Sequence, residues 1–139
     1  MRIYLAASFS RQSEMREKRV DLENAGHLVT SRWIDEPTKD DGITHAKGDA
    51  DDRYHAVGDI SDILDSDCMI VFSEPPNGKY GRGGRHVETG FFLSSVMMQR
   101  STGPLIVVGP AENIFHAHPD VLRVNSWEDA LYEIGTEEE

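Results

Sequence analysis

The chain has 139 residues, 38% of them hydrophobic, and a formal net charge of −11 at pH 7. That length supports one domain with its own core. The acidic balance excludes a surface built to neutralise many phosphates of a nucleic-acid polymer, which needs clustered Lys and Arg, though not a pocket for one small nucleotide. With a single cysteine, Cys68, no disulfide can form within these residues, and no apolar run reaches the roughly 18 residues of a membrane span.

The chain begins directly on a strand pattern without a charged-then-apolar leader, so a cytoplasmic location is expected. Arg2 to Ala7 reads as the first strand. Ser8 to Ser13 is a loop, and a helical pattern then runs to Gly26, with Met15, Val20, Leu22 and Ala25 as its buried face. His27 to Trp33 reads as the second strand. The segment from Ile34 to about Asp49 is polar, carries Pro37, Gly42 and Gly48, and has the length of a functional loop or lid. Asp51 to Ser66 resumes helical spacing through Tyr54, Val57, Ile60, Ile63 and Leu64. Asp67 to Ser73 is a continuous apolar run, as in a strand covered on both faces. A helix to about Gln99 follows, then a strand over Leu105 to Val108, a loop from Gly109 to Asp120, and a short strand over Val121 to Val124. The last helix spans Trp127 to Ile134, with Ser126 as its N-cap. One domain over 1–135 and an acidic tail over 136–139 are expected.

Strands alternating with helices imply βαβ units, hence an α/β three-layer sandwich around a parallel sheet. Such sheets bind ligands at the carboxyl ends of their strands. The loops at Ser8 to Ser13, Trp33 to Asp49, Ser73 to Arg85 and Gly109 to Pro119 all follow strands, so they should converge on one edge.

The most chemical stretch is Gly81-Arg-Gly-Gly-Arg-His-Val-Glu-Thr-Gly90. Gly81, Gly83 and Gly84 let a backbone approach a ligand, and the first N–H groups of a helix are free to bind oxygen. The loop has neither the Lys-Ser/Thr ending of a Walker sequence nor the position of a dinucleotide fingerprint. Glu88, one turn into the helix, is a candidate nucleophile. Asp59, turned towards the strand ends, is a candidate second carboxylate. Such a pair is what glycosidic cleavage needs, with one group attacking the anomeric carbon and the other helping the leaving group. Ser8, Ser10 and Arg11 suit a phosphate or a sugar hydroxyl, and Arg82 and Arg85 could meet an anion. His86 could contact substrate, and Trp33 could stack on a planar ring. His116 and His118 alternate, but no third ligand accompanies them, so neither a metal nor any other cofactor is expected. Cys68, inside an apolar strand, reads as core.

Tyr4 with Ala6-Ala7-Ser8, Asp59 eight residues before the Asp67-Cys-Met-Ile-Val71 strand, Gly84-x-x-x-Glu88-x-Gly90, and Ser126-Trp-Glu-Asp-Ala130 together resemble the nucleoside 2-deoxyribosyltransferase superfamily, which includes the 2′-deoxynucleoside 5′-phosphate N-hydrolases. The match spans nearly the whole chain and rests on order and spacing. The resemblance implies a flavodoxin-like, five-stranded parallel sheet, a homodimer or higher homo-oligomer, and a small deoxynucleotide or deoxynucleoside as partner. It implies Glu88 as the nucleophile of a deoxyribosyl-enzyme ester, Asp59 as the assisting acid, and Tyr4 beside the nucleophile. Water as acceptor would give hydrolysis and a second base would give transfer. The chain departs from the family at Arg85, where Thr is common, and at Arg82, near a phosphate-binding serine of some hydrolases. Both arginines, with the Ser8 to Ser13 loop, favour a monophosphate. Two other readings stay open: an N-glycosidase of ribosyl substrates, of the nucleotide phosphoribohydrolase or NAD-cleaving type, and a nucleotide-binding protein without turnover.

Overall fold

The computed structural model describes residues 1–37, 49–75, 83–101 and 103–136, with 49–51 described in backbone alone. Five parallel strands form one sheet: β1 (Arg2–Ala6), β2 (Leu28–Val29), β3 (Cys68–Phe72), β4 (Leu105–Val108) and β5 (Val121–Val124), in the order β2-β1-β3-β4-β5. This is the flavodoxin-like order implied by the family resemblance. Among the described residues four α-helices cover it: α1 (Gln12–Asn24), α2 (Asp49–Leu64), α3 (Gly84–Met97) and α4 (Trp127–Ile134). α1 and α4 meet on one face, where the Trp127 indole N–H donates to Asp21. α2 and α3 pack together on the other.

The core follows from sequence pattern. β1 and β3 are central, so both of their faces are covered, and Ile3, Tyr4, Leu5, Met69 and Ile70 are all 0% exposed. Each buried aliphatic side chain of this size contributes about 1.5–3 kcal/mol over leaving it exposed. The Ser126 Oγ accepts the Asp129 N–H at 3.1 Å, so the expected N-cap starts α4.

Three expectations need correction. The second strand is only Leu28–Val29, because the chain turns at once into a 3-10 helix over Arg32–Asp35. The reason is that its polar groups are claimed by neighbours: the Arg32 N–H donates to Asp62 and the Trp33 indole N–H to the Leu5 carbonyl. Val20 is 52% exposed, so α1 is anchored by Met15 and Leu22. On α2, Tyr54, Val57 and Leu64 are exposed, whereas Ile63 is buried. At about 100° per residue those three fall on one side of the helix, while His55, Asp59, Asp62 and Ile63 fall on the other. The inward side of α2 is therefore largely polar, and this brings its acidic residues to the site.

Gly109 closes the carboxyl edge. Its φ is +114°, and a Cβ there would lie 2.4 Å from Ser73 Oγ, the hydroxyl that donates to the Val108 carbonyl at 3.1 Å. Gly109→Ala is therefore expected to lower stability by about 2 kcal/mol or more through strain and collision. Equilibrium denaturation reads this directly, and an unchanged midpoint would contradict it.

Candidate active site

Glu88 lies on α3, one turn from its start, because Gly83 takes φ +87° and turns the chain into the helix there. The Tyr4 hydroxyl, on β1 and fully buried, donates a short hydrogen bond to Glu88 Oε2. A strand of the sheet thus fixes one oxygen of the helix carboxylate and leaves the other to act. Asp59 faces the same place from α2. The three expected catalytic residues, from β1, α2 and α3, come together.

Their electrostatics follow from burial. Glu88 is pushed up to about 7 by desolvation, against the Tyr4 hydrogen bond that favours its charged form, with a further push from Glu36. Asp59 is pushed higher, to about 8, by desolvation first, then by the charges of Glu88, Glu36 and Asp62, with Arg32 working the other way. Glu88 ionises first and its charge then holds the proton on Asp59. The Tyr4 phenol is held far above its ordinary range by burial and by the adjacent carboxylates, so it remains a donor. One carboxylate can be ionised while its neighbour is still protonated, as nucleophile and acid require.

The predicted binding residues divide. Ser8 is buried, and its Oγ accepts from Arg85 Nη1 at 3.4 Å. Ser10 is half-buried, with its hydroxyl unpaired among the described residues. Arg11 is occupied: it bonds both oxygens of Glu14, at 2.9 and 2.7 Å, and reaches Glu74 Oε1 at 3.4 Å while lying over the Phe72 ring. Arg85 is 6% exposed and pairs with Glu112. His86 sits between Asn113, at 3.4 Å, and Glu112, at 3.6 Å. Trp33 is 5% exposed, tilted against Phe9 and anchored through its N–H to Leu5, so its indole forms wall and core. Gly83 and Gly84 open α3, and a Cβ on Gly84 would meet nothing within 4 Å. Gly81, Arg82 and most of the Ile34 to Asp49 loop lie outside the described residues.

Four residues that matter here went unnoticed in the sequence. Glu36 Oε1 pairs with His55 Nδ1 at 2.8 Å, and its charge reaches both Asp59 and Glu88. His55 was detectable, since it stands four residues before Asp59 on the same helix. Glu74 and Glu112, after β3 and β4, hold the two arginines. Asp62 is 7% exposed and accepts from the Arg32 backbone and guanidinium. His116 Nδ1 accepts the Glu112 N–H, and His118 Nδ1 accepts the Asp120 N–H. Among the described residues no three acidic, His or Cys side chains gather as a metal centre. Cys68 is buried, and burial pushes its thiol up to about 12, so it is inert core.

No protein-family model matches the sequence, and no curated protein matches it either. Solved structures do. A 2-deoxyribosyltransferase from Bacillus psychrosaccharolyticus superposes with a TM-score of 0.61 at 18% identity, over 94% of this chain and 90% of that one. A conserved protein from Enterococcus faecalis V583 gives 0.61 at 17% identity over 96% of both chains. The Clostridium botulinum CMP N-glycosidase BcmB gives 0.51 at 21% identity, over 96% of this chain and 98% of that one. The chain shares the fold of these three structures.

The raised Glu88 value also bears on stability. The folded state holds its proton more tightly than the unfolded chain, so the stability it contributes is full below the ordinary carboxyl range, near 4.5, and is lost as pH rises through about 7. Glu88→Gln, which can still accept from Tyr4, is expected to be more stable than the parent at pH 8–9 by about 1–3 kcal/mol, with the gap closing towards pH 4. Urea denaturation across this range measures the difference, and a gap independent of pH would contradict it.

Proposed function

We propose that the chain cleaves the N-glycosidic bond of a 2′-deoxynucleoside or its 5′-monophosphate through a covalent ester on Glu88. The observation that carries this reading is the Tyr4 hydroxyl fixed on one oxygen of Glu88, with the protonatable Asp59 opposite. The fold shared with a 2-deoxyribosyltransferase and a CMP N-glycosidase supports it.

In the first step the free Glu88 oxygen attacks C1′. A C1′–O bond forms as the C1′–N bond breaks, and its electron pair leaves with the base. The proton on Asp59 goes to the departing nitrogen, directly or through the base. In the second step water, or the nitrogen of another base, attacks C1′ from the vacated side. The ester breaks, Glu88 recovers its carboxylate, and the proton of the acceptor returns to Asp59. Tyr4 holds Glu88 in line throughout, and its hydroxyl remains protonated. Desolvation makes the carboxylate a better nucleophile than it is in water.

The apolar stripe of Tyr54, Val57 and Leu64 on the outer side of α2 supports a homo-oligomer as part of the same proposal. Light scattering that gives a monomer mass at micromolar concentration would remove it.

The decisive measurement is release of free base from a panel of deoxynucleosides and their monophosphates. Glu88→Gln is expected to lose about three orders of magnitude or more in rate, since no nucleophile remains. Asp59→Asn should slow most the substrates whose base leaves least readily. The rate should be highest between about pH 7 and 8, where Glu88 is ionised and Asp59 is protonated. Binding without release by the parent chain, or a fully active Glu88→Gln, would overturn the mechanism.

A further inference from the structure

Beside Glu88 the structure builds a second feature, a cradle for an anion. The Arg85 guanidinium, one turn before Glu88 on α3, points Nε and Nη2 at one carboxylate. The Glu74 backbone N–H donates to the same carboxylate at 3.0 Å, and His86 Nε2 stands 3.6 Å away. Arg85 Nη1 also reaches the Ser8 hydroxyl. A forked guanidinium, a main-chain N–H and an imidazole are the donors a phosphate would take. The occupant is the chain's own Glu112.

We propose that Glu112 determines the 5′ chemistry of the substrate: its carboxylate fills the anion cradle next to Glu88, so the site takes a sugar with a free 5′-hydroxyl and rejects a 5′-phosphate. The inference rests on the N-glycosidase reading for its substrate and on the cradle for its selectivity.

Two observations make Glu112 a resident and not a passer-by. Its own backbone N–H donates to His116 Nδ1 at 3.0 Å, and His116 is 2% exposed. With Nδ1 accepting, the neutral ring carries its proton on Nε2, which is buried without a partner. Burial also disfavours a second proton on that ring, so it continues to accept. The loop is therefore tied down behind the carboxylate as well as in front of it. Arg85, itself 6% exposed, needs a counter-charge in place, because an unpaired guanidinium so deep is costly.

Charge balance points the same way. Arg11 is already shared between Glu14 and Glu74, so the described residues place Glu14, Glu74 and Glu112 against Arg11 and Arg85 at this edge. A phosphate dianion would enter beside a surplus of negative charge and would have to expel a buried carboxylate. A deoxyribose spans about one helical turn, about 5 Å, so a ring with C1′ at Glu88 can carry its 5′ end to Arg85.

The test uses two readouts. The first is kcat/KM for base release from 2′-deoxynucleosides and from their 5′-monophosphates, for the parent, E112Q and E112A. The second is thermal unfolding in inorganic phosphate against chloride at equal ionic strength. The parent is expected to prefer the nucleoside and to show no phosphate-specific rise in Tm. In E112A the monophosphate-to-nucleoside ratio should rise about tenfold or more, and phosphate should raise Tm. E112Q keeps the shape and removes the charge, so it should move both readouts in the same direction even if E112A folds poorly. A parent that prefers monophosphates, or variants that gain nothing from phosphate, would overturn the assignment. If no variant releases base but phosphate stabilises E112A and E112Q alone, the cradle stands and the N-glycosidase reading falls.

Discussion

The short hydrogen bond from Tyr4 to Glu88 joins a buried inner strand to the helix that opens on the glycine turn. A carboxylate drawn out of water needs a donor, and a donor on a central strand cannot move. Tyr4 lies opposite Met69 of β3, and β2 holds β1 from the other side at Arg2 and Ile3, so its hydroxyl is as fixed as the sheet. Gly83 must turn the chain at positive φ so that α3 starts where its first turns bring Glu88 under that hydroxyl. α2 must pack against α3 with its polar side inward so that Asp59 faces Glu88. The helices obey a constraint set by one phenol.

That constraint separates the two carboxylates in energy. Both are desolvated, but only Glu88 has a hydrogen-bond donor that stabilises its charge. Asp59 has instead the nearby charges of Glu88, Glu36 and Asp62. The difference in partners, more than in depth, orders their ionisation. Glu36 therefore matters without touching the reacting atoms: it pairs with His55, and its charge raises both Asp59 and Glu88.

The strands were legible because their apolar runs are short, β-branched and bounded by turns, and β4, β5 and α4 match their sequence patterns residue for residue. The parallel sheet and the convergence of the post-strand loops followed from alternation, while the flavodoxin-like order β2-β1-β3-β4-β5 was implied only by the family resemblance. Periodicity misled on α2, where apolar Tyr54 and Val57 face out and acidic Asp62 faces in. A hydrophobic stripe marks a face to be covered, but not what covers it. At the site, Glu88 and Asp59 were candidates from their place in the sequence, and Tyr4 only through the family resemblance. Arg11 and Arg85 were visible as cations but not as spent ones, since Glu74 and Glu112 come from other strands, and only the folded sheet brings them within reach.

That last gap explains how a glycine turn with two arginines can belong to an acidic edge. A guanidinium so placed stabilises whichever anion is nearest, and a carboxylate supplied by the chain arrives without the loss of translational freedom a free ligand incurs. Covalent attachment gives it a high effective concentration at the cradle. An external phosphate must exceed that advantage, and its second negative charge helps only where the surrounding field is positive. Here Glu14 and Glu74 already take up Arg11, and His86 contributes charge only when protonated. The same Arg85 that would read as a phosphate ligand in isolation becomes, once Glu112 is in place, a neutral wall that favours a hydroxyl. Selectivity at this edge thus depends on the carboxylates that reach the arginines first.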